Sequence, residues 1–174
     1  MMERLRKGYP VRLEIIPLAL LAFTVYWVVT SYPTLPDQVP THFDLQGLPD
    51  RWGSKNEVLI FPILGAVLYV FFTAIVALFA VVKDPRSLIN LPRKMKDAIT
   101  DTQAEKLRLF FMRTLFALKV LMQGLMAFTA YATIEVAFGR SAGMGVFSLL
   151  FAAAILIVAG LMLWKSLRMA WGKE

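Results

Sequence analysis

Four long apolar runs alternate with polar segments along the chain, extending from about Leu13 to Tyr32, Val58 to Val82, Leu109 to Phe138 and Val146 to Trp164. None carries the polar face that a helix in water needs, and ~20 residues rising ~1.5 Å each cover a ~30 Å hydrocarbon core. The pattern predicts an all-α integral membrane protein: a four-helix transmembrane bundle with an ordered extracytoplasmic loop between helices 1 and 2.

The breaks between the runs carry turn and capping chemistry. Pro33 and Pro36 end the first span, and the segment 33–56 also holds Pro40, Pro49, Gly47 and Gly53, which forbids a long helix there. Ser54 followed by Glu57 has the capping-box spacing at the entrance to the second span, and Thr102 with Glu105 repeats it, predicting that the third helix begins before the membrane does. Gly139, Gly143 and Gly145 predict a tight turn between spans three and four, and Lys165 to Glu174 reads as an amphipathic remainder at the interface. The chain therefore divides into a two-span unit (1–83) with its loop, a basic connection (84–107), and a two-span hairpin with a tail (108–174).

Composition supports this division: 58% of residues are hydrophobic and the mean hydropathy is +0.62. The formal charge of +7 sits at the ends of the apolar runs, so lipid headgroups explain it and nucleic acid is not expected. Arg4, Arg6, Lys7 and Arg12, then seven basic residues between Lys83 and Arg108, then Lys165, Arg168 and Lys173 stand against Arg51, Lys55 and Arg140. That bias predicts cytoplasmic N- and C-termini. The N-terminal apolar run is too long for a signal peptide and reads as a retained anchor. Trp27, Tyr32 and Trp52, with Tyr9, Trp164 and Trp171, fit two interfacial belts. With no cysteine, disulfides and thiolate chemistry are excluded. Neither His-Glu-x-x-His nor Gly-x-Ser-x-Gly occurs, so the chain reads as a non-enzyme before an enzyme, and no cofactor is expected.

Candidate binding residues remain. His42, the single histidine, is either a hydrogen bond that pins the loop or, with Asp44 or Asp50, a cation or ligand site. Lys119 lies about 15 Å into the third span, and an intramembrane charge is normally paired or faces a cavity. Gln123, one turn on, would line a polar pocket with it, unless Lys119 stretches to the inner interface. Glu135 lies about 24 Å beyond Lys119 and is placed to meet His42, Arg51 or Lys55. Glu14 and Arg113 fall near the inner surface, where a surface ion pair or simple solvation accounts for them.

The stretch Pro40-Thr41-His42-Phe43-Asp44, continuing through Gly47, Pro49 and Asp50, resembles the domain of unknown function at the N-terminus of the SdpI-type bacterial immunity proteins. The resemblance is confined to 35–55. It implies a small bacterial inner-membrane protein that binds a toxin peptide or other ligand at its extracytoplasmic mouth and signals to a cytoplasmic partner. The competing readings are a membrane enzyme or small transporter using His42, Lys119 and Glu135, which as a transporter needs a homo-oligomer, and a passive scaffold.

Overall fold

A computed structural model of the protein describes residues 8–88 and 92–170, with side chains through Arg168. Arg4, Arg6, Lys7, Trp171 and Lys173 lie outside the described residues. Among the described residues, four helices are long and apolar enough to cross a membrane. They are α1 (Ile15–Ser31), α2 (Ile60–Val81), α3 (Asp101–Ala137) and α4 (Phe147–Ala170). A multi-pass membrane protein follows from their length and composition.

The 37 residues of α3 span about 55 Å, well beyond a ~30 Å hydrocarbon core, so one end projects as its sequence predicts. Its cap, however, is Thr100 with Gln103, not Thr102 with Glu105. The Thr100 hydroxyl accepts from the Gln103 amide at 3.3 Å, and the Gln103 side chain accepts from the Thr100 amide at 3.0 Å. Arg86 decides the register: it donates to the Ile99 carbonyl at 2.9 Å and to Asp101 at 2.6 Å, fixing the chain where the helix starts. The Asp101 bond also raises the Arg86 pKa above its ordinary value. Glu105 accepts instead from Arg108. At the other end of the chain, α4 continues past Trp164 to Ala170, because no proline or glycine interrupts 165–170. Of the expected amphipathic remainder, the described part, 165–170, is thus helical and continuous with α4.

The long α3 is the hub. It packs against α1, α2 and α4, and it carries two apolar cores along its length. The first joins Tyr9, Phe72, Val76 and Phe79 to Leu107, Phe111 and Leu115. The second joins Val28, Leu35, Val39 and Val58 to Ala130 and Ile134. Gly124 lets α4 approach, since a Cβ there would lie 2.8 Å from the Phe151 ring. Most other large side chains of α1, α2 and α4 face outward, as helices surrounded by lipid require.

The end of α2 is closed by Arg108. Its guanidinium is fully buried and donates to the carbonyls of Phe79, Val82 (2.9 Å) and Lys83 (3.0 Å), satisfying acceptors that a helix C-terminus leaves open. The start of α2 is closed by the expected Ser54–Glu57 capping box, through a short 3-10 turn (Lys55–Leu59).

Between α1 and α2 the proline-rich segment folds into an antiparallel hairpin, β1 (Gln38–Phe43) and β2 (Pro49–Ser54), where sequence alone predicted only an ordered loop. Pairing slips at Thr41, between Pro40↔Trp52 and His42↔Arg51, a bulge that accommodates proline in the strand. Asp44 builds the tip: its carboxylate accepts from the amides of Gln46 and Leu48, both at 2.9 Å, and Gly47 closes the turn at φ +78°.

The tip then docks backbone to backbone on the α3–α4 turn. The Met144 amide donates to the Gly47 carbonyl at 2.9 Å, and a Cβ on Gly143 would sit 2.2 Å from that same oxygen. Only a chain without a side chain fits there. Gly143→Ala is expected to cost about 1–3 kcal/mol as an overpacking defect and to expose the hairpin to protease. Gly160→Ala, where an added methyl meets nothing within 4 Å, should match the parent or gain up to ~1 kcal/mol. Thermal unfolding in detergent distinguishes them; equal stability would refute the docking role.

Candidate functional site

Lys119 is fully buried at the meeting of three segments. Its ammonium donates to Glu14 Oε1 at 2.7 Å, Thr73 Oγ1 at 2.9 Å and Tyr9 Oη at 3.0 Å, which uses all three protons. It also lies 4.5 Å from the centre of the Tyr69 ring, a favourable cation–π distance. Tyr69 completes the circuit by donating its hydroxyl to Glu14 Oε2 at 2.8 Å. Glu14, at the end of a 3-10 turn (Val11–Glu14) ahead of α1, retains 23% exposure of its side chain.

The cluster is charge-neutral and its donors are spent. A lysine acting as base or nucleophile needs a free lone pair, and here every proton of the ammonium is already held by a carboxylate or a hydroxyl. The arrangement instead ties the N-terminal segment, α2 and α3 together at one depth. Sequence reasoning singled out Lys119 but left Glu14 at the inner surface, in a surface ion pair or solvated, and did not join the two. A signal was present: only two carboxylates lie inside the apolar runs, and Glu135 is excluded by about 24 Å of helix. Glu14 is what remains.

Gln123 is also fully buried on the same face of α3, but it bonds elsewhere, donating to the Gly65 carbonyl at 2.8 Å. Its own carbonyl oxygen has no partner among the described residues. Lys119 and Gln123 therefore share a face of α3 and bond to different partners.

The other predicted residues sit at the hairpin end. His42 Nδ1 and Asp50 Oδ1 lie 2.6 Å apart, both about half exposed, bridging β1 and β2. Asp44 is committed to the turn, and Asp37 pairs with Lys55 at 3.3 Å. Among the described residues, no three His, Cys, Asp or Glu side chains are grouped to hold a metal ion. Glu135 pairs with Arg140 at 3.2 Å rather than with His42, Arg51 or Lys55. The lid-to-bundle contact expected of it is made by the Gly47 backbone instead. Two cavities flank this end, one of about 320 Å³ beside Glu135 and one of about 180 Å³ beneath the hairpin, against Thr41, Glu57 and Thr133.

Residues 19–66 match the family described as a domain of unknown function, DUF1648. The matched stretch covers most of α1, the hairpin and the first turns of α2. A protein of Archaeoglobus fulgidus, itself named as uncharacterized, is 37% identical over 78 residues, and the match spans 43% of this chain and 43% of that protein. No solved structure matches.

The ion pair makes a quantitative prediction. Lys119→Met leaves Glu14 without its partner and should destabilise the bundle by about 3 kcal/mol, at the lower end for a broken buried pair because Glu14 keeps some solvent. The double variant Glu14→Gln with Lys119→Met removes both charges and should recover at least half of that loss. Additive losses in a double-mutant cycle, measured by thermal unfolding in detergent, would show that the pair is not coupled.

Proposed function

We propose that this chain is a non-enzymatic recognition protein of a bacterial inner membrane. Its hairpin lies outside the cell, both termini lie in the cytoplasm, and a toxin-like peptide is the partner bound at the mouth. The reading follows the resemblance of 35–55 to the SdpI-type immunity and signalling proteins. The observation that carries it is the hairpin itself. It presents Leu45 (78% exposed), Leu48 and Trp52 to the surroundings while Gly47 and Val39 hold it to the bundle. Apolar side chains on a rigid support make binding surface at little ordering cost.

Strand geometry favours an extended peptide. The hairpin is a two-stranded sheet and β2 is exposed along most of its length, so its outer edge offers unpaired amides and carbonyls to an added strand. His42, Asp50 and Asp44 border this surface and supply charge. Orientation is supported by the concentration of basic residues from Lys83 to Arg108, against Arg51, Lys55 and Arg140 at the hairpin end. The basic segment is available to a cytoplasmic partner or to anionic lipid. The saturated Lys119 cluster weighs against the enzyme and transporter readings, because its groups are committed to one another.

The absence of cysteine makes the test clean. A single Leu45→Cys variant should react with a membrane-impermeant maleimide on intact cells. Cells producing the parent chain should survive a secreted membrane-active peptide that kills cells without it. Trp52→Ala should lower that protection at least tenfold with folded yield unchanged. Labelling of the introduced thiol only after lysis, or full protection by the Trp52 variant, would sink the reading.

A further inference from the structure

The 320 Å³ cavity between the ends of α3 and α4 has a chemistry of its own. Phe128, Tyr131 and Glu135 approach it from α3, Arg140 from the turn and Phe147 from α4. We propose that it seats the zwitterionic headgroup of an aminophospholipid, with the phosphate on Arg140 and the ammonium on Glu135. The proposal is independent of what the hairpin binds.

Charge is the first argument. The Glu135 side chain is only 14% exposed, and among the described residues only its Oε1 is hydrogen-bonded, to Arg140 at 3.2 Å. The second carboxylate oxygen is free to accept. Arg140 is 59% exposed, and among the described residues one of its guanidinium nitrogens is engaged, leaving donors for a phosphate. A simple anion entering the cavity would meet Glu135, and a simple cation would meet Arg140. A group carrying both charges satisfies both. The pair that must rearrange is a single contact whose arginine is more than half exposed, so the cost of opening it is small.

Ring geometry is the second argument. The Phe128 and Phe147 rings are 5.6 Å apart and inclined by 58°, with Tyr131 one turn above Phe128. Aromatic faces beside a carboxylate are the usual surroundings of an organic ammonium group. The third argument is depth and continuity. Glu135 is in the last turn of α3 and Phe147 is the first residue of α4, which places the cavity at the level where headgroups lie. Phe147 and Leu150, neighbours one turn apart on α4, are both exposed, an apolar track for acyl chains leading from the cavity mouth. A soluble zwitterion would have no use for that track.

The test compares phosphatidylethanolamine with phosphatidylglycerol of identical acyl chains, added to the delipidated full chain in detergent and read by native mass spectrometry and thermal shift. The parent should bind the aminophospholipid about tenfold more tightly, a difference of ~1.4 kcal/mol. Glu135→Gln and Arg140→Gln should each abolish the preference for the aminophospholipid over phosphatidylglycerol. Arg140 is exposed enough that its variant should fold even if the Glu135 variant does not. Equal binding of both lipids by the parent, a result that needs no variant, would overturn the proposal. Displacement of the lipid by glycerophosphoethanolamine at equal concentration would also overturn it, by moving the site to a soluble zwitterion.

Discussion

A full positive charge lies inside a bundle whose outer faces are almost wholly apolar, and the arrangement of α1, α2 and α3 follows from neutralising it. Hydrocarbon offers no water to solvate an ammonium, so Lys119 must find its anion and its hydrogen-bond acceptors within the protein. Glu14 supplies the anion, Tyr9 and Thr73 the acceptors, and Tyr69 holds the carboxylate from the other side. Meeting all of these fixes the depth of α1 against α2 and of both against α3. Apolar helices in lipid have little hydrophobic preference for one register over another, so a polar cluster of this kind selects one. Its contribution is better understood as specifying an arrangement than as raising stability, since buried pairs cost about as much to desolvate as they return. The helix that gives nothing to the cluster, α4, packs at the side of α3 through the gap at Gly124.

The same demand for internal satisfaction governs the helix ends. Arg108 accepts the cost of complete burial because the last carbonyls of α2 surround its guanidinium. Ser54 with Glu57, and Thr100 with Gln103, close the N-terminal ends of α2 and α3. At the hairpin end, the Gly47 carbonyl meets the Met144 amide across a glycine-lined contact too close for a Cβ. The hairpin is thereby part of the bundle, and the residues it turns outward are held in fixed positions.

The number and position of the apolar helices were legible because hydropathy acts on each segment independently of the others. The oddity of Lys119 was legible for the same reason: a charge in an apolar run violates a local rule. Its partner was readable only by elimination among the carboxylates of the apolar runs, because Glu14 borders a positively charged N-terminus and meets Lys119 only when two helices pack. The hairpin was hidden by Pro40 and Pro49, which argue against strand, and it forms because proline is placed beside a bulge and at a strand start. The α3 cap was misplaced by two residues because Thr100 with Gln103 and Thr102 with Glu105 have the same spacing. The tertiary bond from Arg86 to Ile99 chooses between them. Glu135 was placed at the correct end, but its nearest cation lies five residues on, across a turn that brings Arg140 back over the helix.

The family match over 19–66 ends about two turns into α2, and the packing shows how little the matched stretch demands of the helices behind it. It contains Val28, Leu35, Val39 and Val58, one side of the second core, and neither Glu14 nor Lys119. What it requires of the rest of the chain is modest: a helix presenting small or compact apolar residues, here Ala130 and Ile134, and a tight turn to receive the Gly47 carbonyl. Many sequences meet that demand, since small residues at a four-residue spacing are common in membrane helices. The hairpin has no such freedom, because its bulge, its Asp44 turn and its glycine contact each need a particular residue type. Sequence specificity is therefore concentrated in the segment with the strictest backbone geometry, while the helices that complete its core need match only in size and polarity.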